Sequence, residues 1–293
     1  MKSDKSQSNS ILKKVILLVS IEVLVILIVT VVTVFFIQTY YFFVPNSNDE
    51  LYDVFLNDDN YDEIIIDNNG QKLSGWLKYR TDRNEPSPLI IFFIGNYQNS
   101  AGTFKAYSDA QVFDYFSDYN ILIVDYPEYG RSEGKITEKS YFEYSERVYD
   151  YASTLDCVDK DNIVILGYSI GTGAATYLSS QRNVNGLILV APYDEALSLY
   201  NANLNIFYGP LKHFTSLKLE SYKYATNVSA KTLIFTSYDD EIISYKFSEN
   251  LSKYFDNLEE IVVLESEVGH ANYFYQESVL NRINTFLNDR ISE

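Results

Sequence analysis

Hydrophobic and polar positions divide this chain into three stretches. Val15 to Ile37 is almost wholly apolar, with Glu22 as its one charge. Residues 44–60 are polar. From Tyr61 onward short apolar runs alternate with longer amphipathic ones. Tyr61 to Asp67 and Gln71 to Tyr79 predict two strands joined by Asp-Asn-Asn-Gly, a hairpin signal. Leu89 to Ile94, Ile121 to Val124, Ile163 to Leu166, Gly186 to Val190, Lys231 to Thr236 and Glu260 to Leu264 predict six more strands. Helices are expected near Thr103 to Ser117, Glu138 to Leu155, after Gly171, Ser244 to Phe255 and Tyr273 to Leu287. Strands alternating with helices mean βαβ units, hence a mostly parallel sheet of about eight strands with an antiparallel hairpin at one edge. The interval 191–227 breaks this rhythm. It is too long for an ordinary connection and rich in Tyr, Leu and Phe, which suits a cap or lid over a site.

The first apolar stretch is long enough to cross a bilayer, which takes about 20 residues. Lys2, Lys5, Lys13 and Lys14 precede it, and Asp49, Glu50 and Asp53 follow. The positive-inside rule then puts residues 1–14 in the cytoplasm, the anchor at 15–37, a linker at 38–60 and the domain 61–293 outside. A cleaved signal would have a shorter apolar core and a small-residue cleavage site. Here the run ends in Phe35-Phe36-Ile37 and then Tyr40-Tyr41-Phe42-Phe43, so an uncleaved anchor with an interfacial aromatic belt is expected. Glu22 is read as a tolerated charge near the start of the span.

Composition narrows the classes. The formal charge of −17 argues against a nucleic-acid partner, because phosphate binding needs basic surface. Cys157 is the one cysteine, so no intrachain disulfide framework exists. The 27 Tyr and 18 Phe are read first as packing, with an aromatic-lined substrate groove as the alternative.

Candidate chemistry starts at Gly167-Tyr-Ser169-Ile-Gly171, between a buried strand and a helix of small residues. That is the form of a nucleophile elbow, which holds a serine on a sharp strand-to-helix turn. A serine hydroxyl needs a base, usually a histidine oriented by a carboxylate. In hydrolases with this elbow the order is Ser, then Asp or Glu, then His. His270, just past the last strand, fits that order, whereas His213 lies before the expected acid and is read as structural. Asp239, Asp240 and Glu241 follow the strand that ends at Thr236. The oxyanion donors expected are the main-chain N–H of Ile170 and that of Asn96 or Tyr97, in the turn after the strand 89–94.

With Gly95-Asn96 at a strand end, Asp125-Tyr-x-x-Tyr-Gly-x-Ser-x-Gly134 and Gly-x-Ser-x-Gly, the chain resembles the α/β-hydrolase superfamily over about residues 61–290. These motifs are similar to a compact membrane-anchored branch that includes protein-depalmitoylating thioesterases and resembles prolyl-aminopeptidase-like peptidases. The resemblance implies an α/β-hydrolase fold, a canopy matching 191–227 and no metal or organic cofactor. The family pattern Gly-x-x-Asp, with Ser237 in the glycine's place, favours Asp240 over Asp239 and leaves Glu241 as a solvated or helix-N-terminal acid. Where the family has His-Gly-Asn, Ile94 replaces the histidine and the backbone donors stay. The expected activity is a serine hydrolase acting on a small-molecule, lipid or peptide acyl substrate, an ester or thioester first. A peptidase on the same triad is the alternative, with Asp194, Glu195 and Glu220 as acids that would meet an α-amine. A non-catalytic binding protein is the third reading.

Overall fold

The computed structural model describes residues 2–48, 50–80, 85–203, 205, 207–265 and 267–292. Asp49, one of the acids counted after the span, lies outside them. The chain opens with helix α1 (Lys2–Phe42), which runs past Ile37 because nothing breaks it before Pro45. Its segment Leu12–Phe42, 31 residues, is long and apolar enough to cross a membrane.

Eight strands follow: β1 (Tyr61–Asn68), β2 (Gln71–Lys78), β3 (Ser87–Phe93), β4 (Asn120–Val124), β5 (Val158–Tyr168), β6 (Gly186–Val190), β7 (Thr232–Ser237) and β8 (Leu258–Leu264). They form one sheet in the order β1-β2-β4-β3-β5-β6-β7-β8. β2 runs antiparallel to both β1 and β4, and the remaining pairs are parallel. Every residue of β3, β4, β6 and β7 is buried, as expected of central strands covered on both faces. Edge strand β1 alternates buried and exposed positions.

The flanking helices are α2 (Ser100–Asp109), α3 (Glu138–Ala152), α4 (Gly171–Gln181), α7 (Tyr245–Ser252) and α8 (Glu277–Ser292). Between β6 and β7 the chain inserts α5 (Ala196–Asn203), a 3₁₀ turn at Gly209–Phe214 and α6 (Ser221–Ala225). The helix expected at 103–117 differs in place and length. It starts at Ser100 because the Asn99 side chain caps Gly102 N at 2.7 Å. It ends before Gln111, whose φ of 57° turns the chain into a short 3₁₀ segment, Val112–Phe116. The last expected helix is likewise split into a 3₁₀ turn, His270–Tyr275, and α8.

Residues 44–60, polar enough to read as a linker, lie against the domain. Tyr52 is fully buried and Phe55 nearly so. Val44 N and Asn46 Nδ2 bond the turn after β3, at Asn96 Oδ1 (2.7 Å) and Tyr97 O (3.0 Å). Tyr52 also donates to Asp125 and sits 3.1 Å from Ser100 Oγ. Two aromatics in a polar run are enough to pin it, since each buries a large apolar area.

Candidate active site

Parallel strands bring their C-terminal ends to one edge of the sheet, where loops converge. Four of those ends build this site: β3, β5, β7 and the turn after β8.

The serine comes from β5. Ser169 follows its last residue with φ of 54°, a left-handed conformation that a non-glycine residue adopts only when its surroundings impose it. The elbow is closed by Ser169 N donating to Val190 O at 2.9 Å and Thr172 N to Ser169 O at 3.0 Å. Its glycines have a steric cause. A Cβ on Gly171 would lie 2.1 Å from Phe93 O, and one on Gly167 would lie 2.7 Å from the Ala175 Cβ. Tyr141 braces the turn from α3, donating to Ile170 O and accepting from Ala174 N at 2.8 Å.

His270 Nε2 lies 2.8 Å from Ser169 Oγ. Its Nδ1 lies 3.0 and 2.9 Å from the two oxygens of Asp240. Asp240 in turn accepts from Ile242 N (2.9 Å), Ile243 N (2.7 Å) and the Tyr273 hydroxyl (2.9 Å). Burial, and then the charge of Asp240, push the Tyr273 phenol up, so it stays protonated and donates. Ser169 and Asp240 are only 6% and 8% exposed, so these hydrogen bonds are sheltered from competing water. The imidazole is held from its other sides too. Tyr168 stacks on it at 5.3 Å between ring centres and donates to His270 O at 2.7 Å.

The structure thus brings together Ser169, Asp240 and His270. Asp239 points elsewhere and accepts from Glu267 N at 2.7 Å, tying down the loop that carries the histidine. Glu241, read from the sequence as a solvated or helix-terminal acid, is exposed but accepts from His270 N at 3.0 Å. His213 is exposed on the 3₁₀ turn 209–214, away from this cluster.

Of the two oxyanion candidates after β3, Tyr97 N bonds the Asn96 side chain at 2.9 Å, and Tyr97 is two-thirds exposed. Asn96 lines the cavity beside Ser169, with Ile170 on the same wall. Ile170 also precedes the first residue of α4, where backbone N–H groups have no intrahelical partner and the helix dipole favours negative charge. Tyr129 donates to Asn96 Oδ1 at 2.9 Å and Tyr126 to Ile94 O at 2.6 Å, so the loop 125–134 buttresses this turn.

The cavity has a volume of about 480 Å³. Beside the polar cluster it is lined by Tyr41, Phe42, Tyr168, Leu199, Ile242 and Ile243. Tyr41 and Phe42 belong to α1, and no sequence pattern ties them to the site. The aromatic content was the one available signal. Asp194 and Glu195 line a different depression with Tyr222 and Lys253, and Glu220 pairs with Lys223. The three acids suggested for an α-amine are therefore not in the cavity.

A family model for the alpha/beta hydrolase fold matches residues 88–222. An uncharacterized protein of Mycobacterium tuberculosis is 23% identical over 190 residues, 65% of this chain and 65% of that protein. Alpha/beta hydrolase domain-containing protein 17C of Xenopus tropicalis is 27% identical over 173 residues, 59% of this chain and 53% of its own. The chain therefore spans less than two thirds of either relative. Among solved structures, Est1E from Butyrivibrio proteoclasticus with ferulic acid bound superposes with a TM-score of 0.65. It is 19% identical, and the match covers 78% of this chain and 100% of that one, a likeness of fold.

Proposed function

The chain belongs to the α/β-hydrolase superfamily, and from that premise we propose that it is a membrane-anchored serine hydrolase that cleaves carboxylic esters or thioesters. One observation carries the reading: Ser169 Oγ, His270 and Asp240 form an unbroken hydrogen-bonded relay at the strand ends. Ser169 Oγ attacks the acyl carbonyl, forming the C–O bond as its proton passes to His270 Nε2. The negative oxygen is met by the N–H groups of Ile170 and Asn96. Collapse breaks the bond to the leaving alcohol or thiol, which takes the proton from His270. Water then attacks the acyl-enzyme, gives its proton to His270 and releases the acid, and the proton returns to Ser169. Asp240 holds the imidazole tautomer and steadies the imidazolium throughout. The neighbour Est1E holds ferulic acid, a carboxylic acid, which agrees with an acyl substrate here.

α1 serves as an uncleaved anchor in this reading, with the domain on the outer side as the lysines before the span and Glu50 and Asp53 after it suggest. Retention is supported by Phe42 and Phe43, which are buried against the domain. A peptidase is less well supported, because Asp194, Glu195 and Glu220 lie outside the cavity. A fluorophosphonate probe tests the proposal: the full chain should label and Ser169→Ala should not. Wild-type protein that stays unlabelled, or equal labelling of the variant, would refute it. Protease accessibility on intact cells tests the orientation, and a protected domain would overturn it.

A further inference from the structure

The last turn of α1 does more than leave the bilayer. Tyr41 stacks on Tyr200 of α5 at 5.8 Å, Phe42 meets the same ring edge-on at 4.7 Å, and Phe43 packs on Tyr141 at 5.1 Å. Gln38 grips the inserted segment between β6 and β7 from the other side. Its Nε2 donates to Phe214 O at 3.0 Å and its Oε1 accepts from Ser216 N at 2.7 Å. Gln38 is 4% exposed, so these bonds are sheltered.

Depth follows from helix geometry. Tyr41 and Phe42 lie four and five residues beyond Ile37, the end of the apolar run. At 1.5 Å per residue that is about 6–8 Å, roughly the thickness of one headgroup layer. The cavity wall formed by Tyr41 and Phe42 therefore stands at headgroup level. The 3₁₀ turn Gly209–Phe214, tied to Gln38, stands at the same level. Leu211 and Phe214 on it, and Tyr208 just before it, are 52%, 48% and 57% exposed. Between them are exposed Lys212 and His213, in a chain whose formal charge is −17. Apolar side chains flanking a lysine form the pattern of a segment that seats in a bilayer interface.

We infer that the cavity is loaded sideways from the bilayer. The end of the anchor forms one wall, the segment 208–214 seats the domain on the membrane, and the substrate is an acyl ester of a lipid in the same leaflet. This rests on the hydrolase reading above. The mostly apolar wall of Tyr41, Phe42, Leu199, Ile242 and Ile243 would take the acyl chain, and Ser169 would meet the ester carbonyl.

The test uses the full chain in phosphatidylcholine–phosphatidylglycerol vesicles with two fluorogenic esters, umbelliferyl oleate partitioned into the bilayer and water-soluble umbelliferyl butyrate. Fluorophosphonate labelling and butyrate turnover check the hydrolase reading on their own. The expected result is oleate turnover well above butyrate turnover. The double variant Leu211→Asp, Phe214→Asp should lose oleate turnover by about tenfold and keep butyrate turnover within about twofold. Tyr41→Ala should raise KM for oleate several-fold at nearly constant kcat. An enzyme that labels and hydrolyses butyrate but shows no oleate preference, or a double variant that loses nothing on oleate, would overturn the inference. So would turnover of a membrane-tethered S-acyl peptide with none of the lipid-like ester.

Discussion

On one side of the cavity Ser169, Asp240 and His270 stand just past parallel strands, each gripped by backbone hydrogen bonds. On the other side Tyr41, Phe42 and Leu199 come from the last turn of α1 and from an inserted helix, which touch through ring contacts. The first side is held by directional bonds on a rigid sheet, which suits groups that must stay within hydrogen-bond reach for chemistry. The second is held by aromatic packing together with the two Gln38 hydrogen bonds, and ring packing tolerates small shifts. In the proposed reading the sheet sets the chemistry, and the way the end of α1 is folded back onto the domain sets the choice of substrate.

Substitutions on the two sides should separate these roles. Ser169→Ala or His270→Ala should cost about five to six orders of magnitude in kcat on any ester, because the triad acts as a unit. A loss of less than about tenfold on a purified variant would remove these residues from the chemistry. Asp240→Asn should cost about 10⁴-fold by favouring the wrong imidazole tautomer, while Asp239→Asn stays within a few-fold. The reverse pattern would exchange the two acids. Tyr273→Phe removes one of the four donors to Asp240 and should lower kcat several-fold, as befits a hydrogen bond of about 1 kcal/mol. Its pH–rate profile should shift, whereas a merely structural residue would change stability alone.

The smallest effect lies outside both walls. Asp125 is fully buried at the end of β4, and burial pushes its carboxyl up to about 8. It accepts from Ser100 N at 2.5 Å and meets the hydroxyls of Ser100 and Tyr52, which serve a neutral acid as well as a charged one. Because the folded value exceeds the unfolded one, the folded state binds more protons between the two. Its contribution to stability is full at acid pH and is lost as pH rises from about 4 through 8. Asp125→Asn should therefore flatten the fall in Tm between pH 5 and 8. An unchanged pH slope would show that Asp125 is ionised in the folded protein.

Much of this was legible beforehand because it rests on local patterns. Continuous apolar runs announced β3, β4 and β6 to within a few residues. The elbow was visible because steric demand around Ser169 admits only small neighbours at 167 and 171. Element ends were less legible. The split after Asp109 turns on the left-handed backbone of Gln111, a residue with no strong preference for it.

From the sequence alone came the fold class, the candidate serine and histidine and a helix long and apolar enough to cross a membrane, because periodicity and close steric constraint are written between neighbours in the chain. Tertiary structure decided which of two adjacent aspartates faces the imidazole, since in the turn after β7 Asp239 is drawn to Glu267 N and Asp240 to His270. It decided that Asn96 rather than Tyr97 lines the cavity beside Ser169. It also decided that Tyr41 and Phe42 line a site whose serine lies far along the chain, because contacts between distant segments depend on how helices and loops pack and leave no period in the sequence.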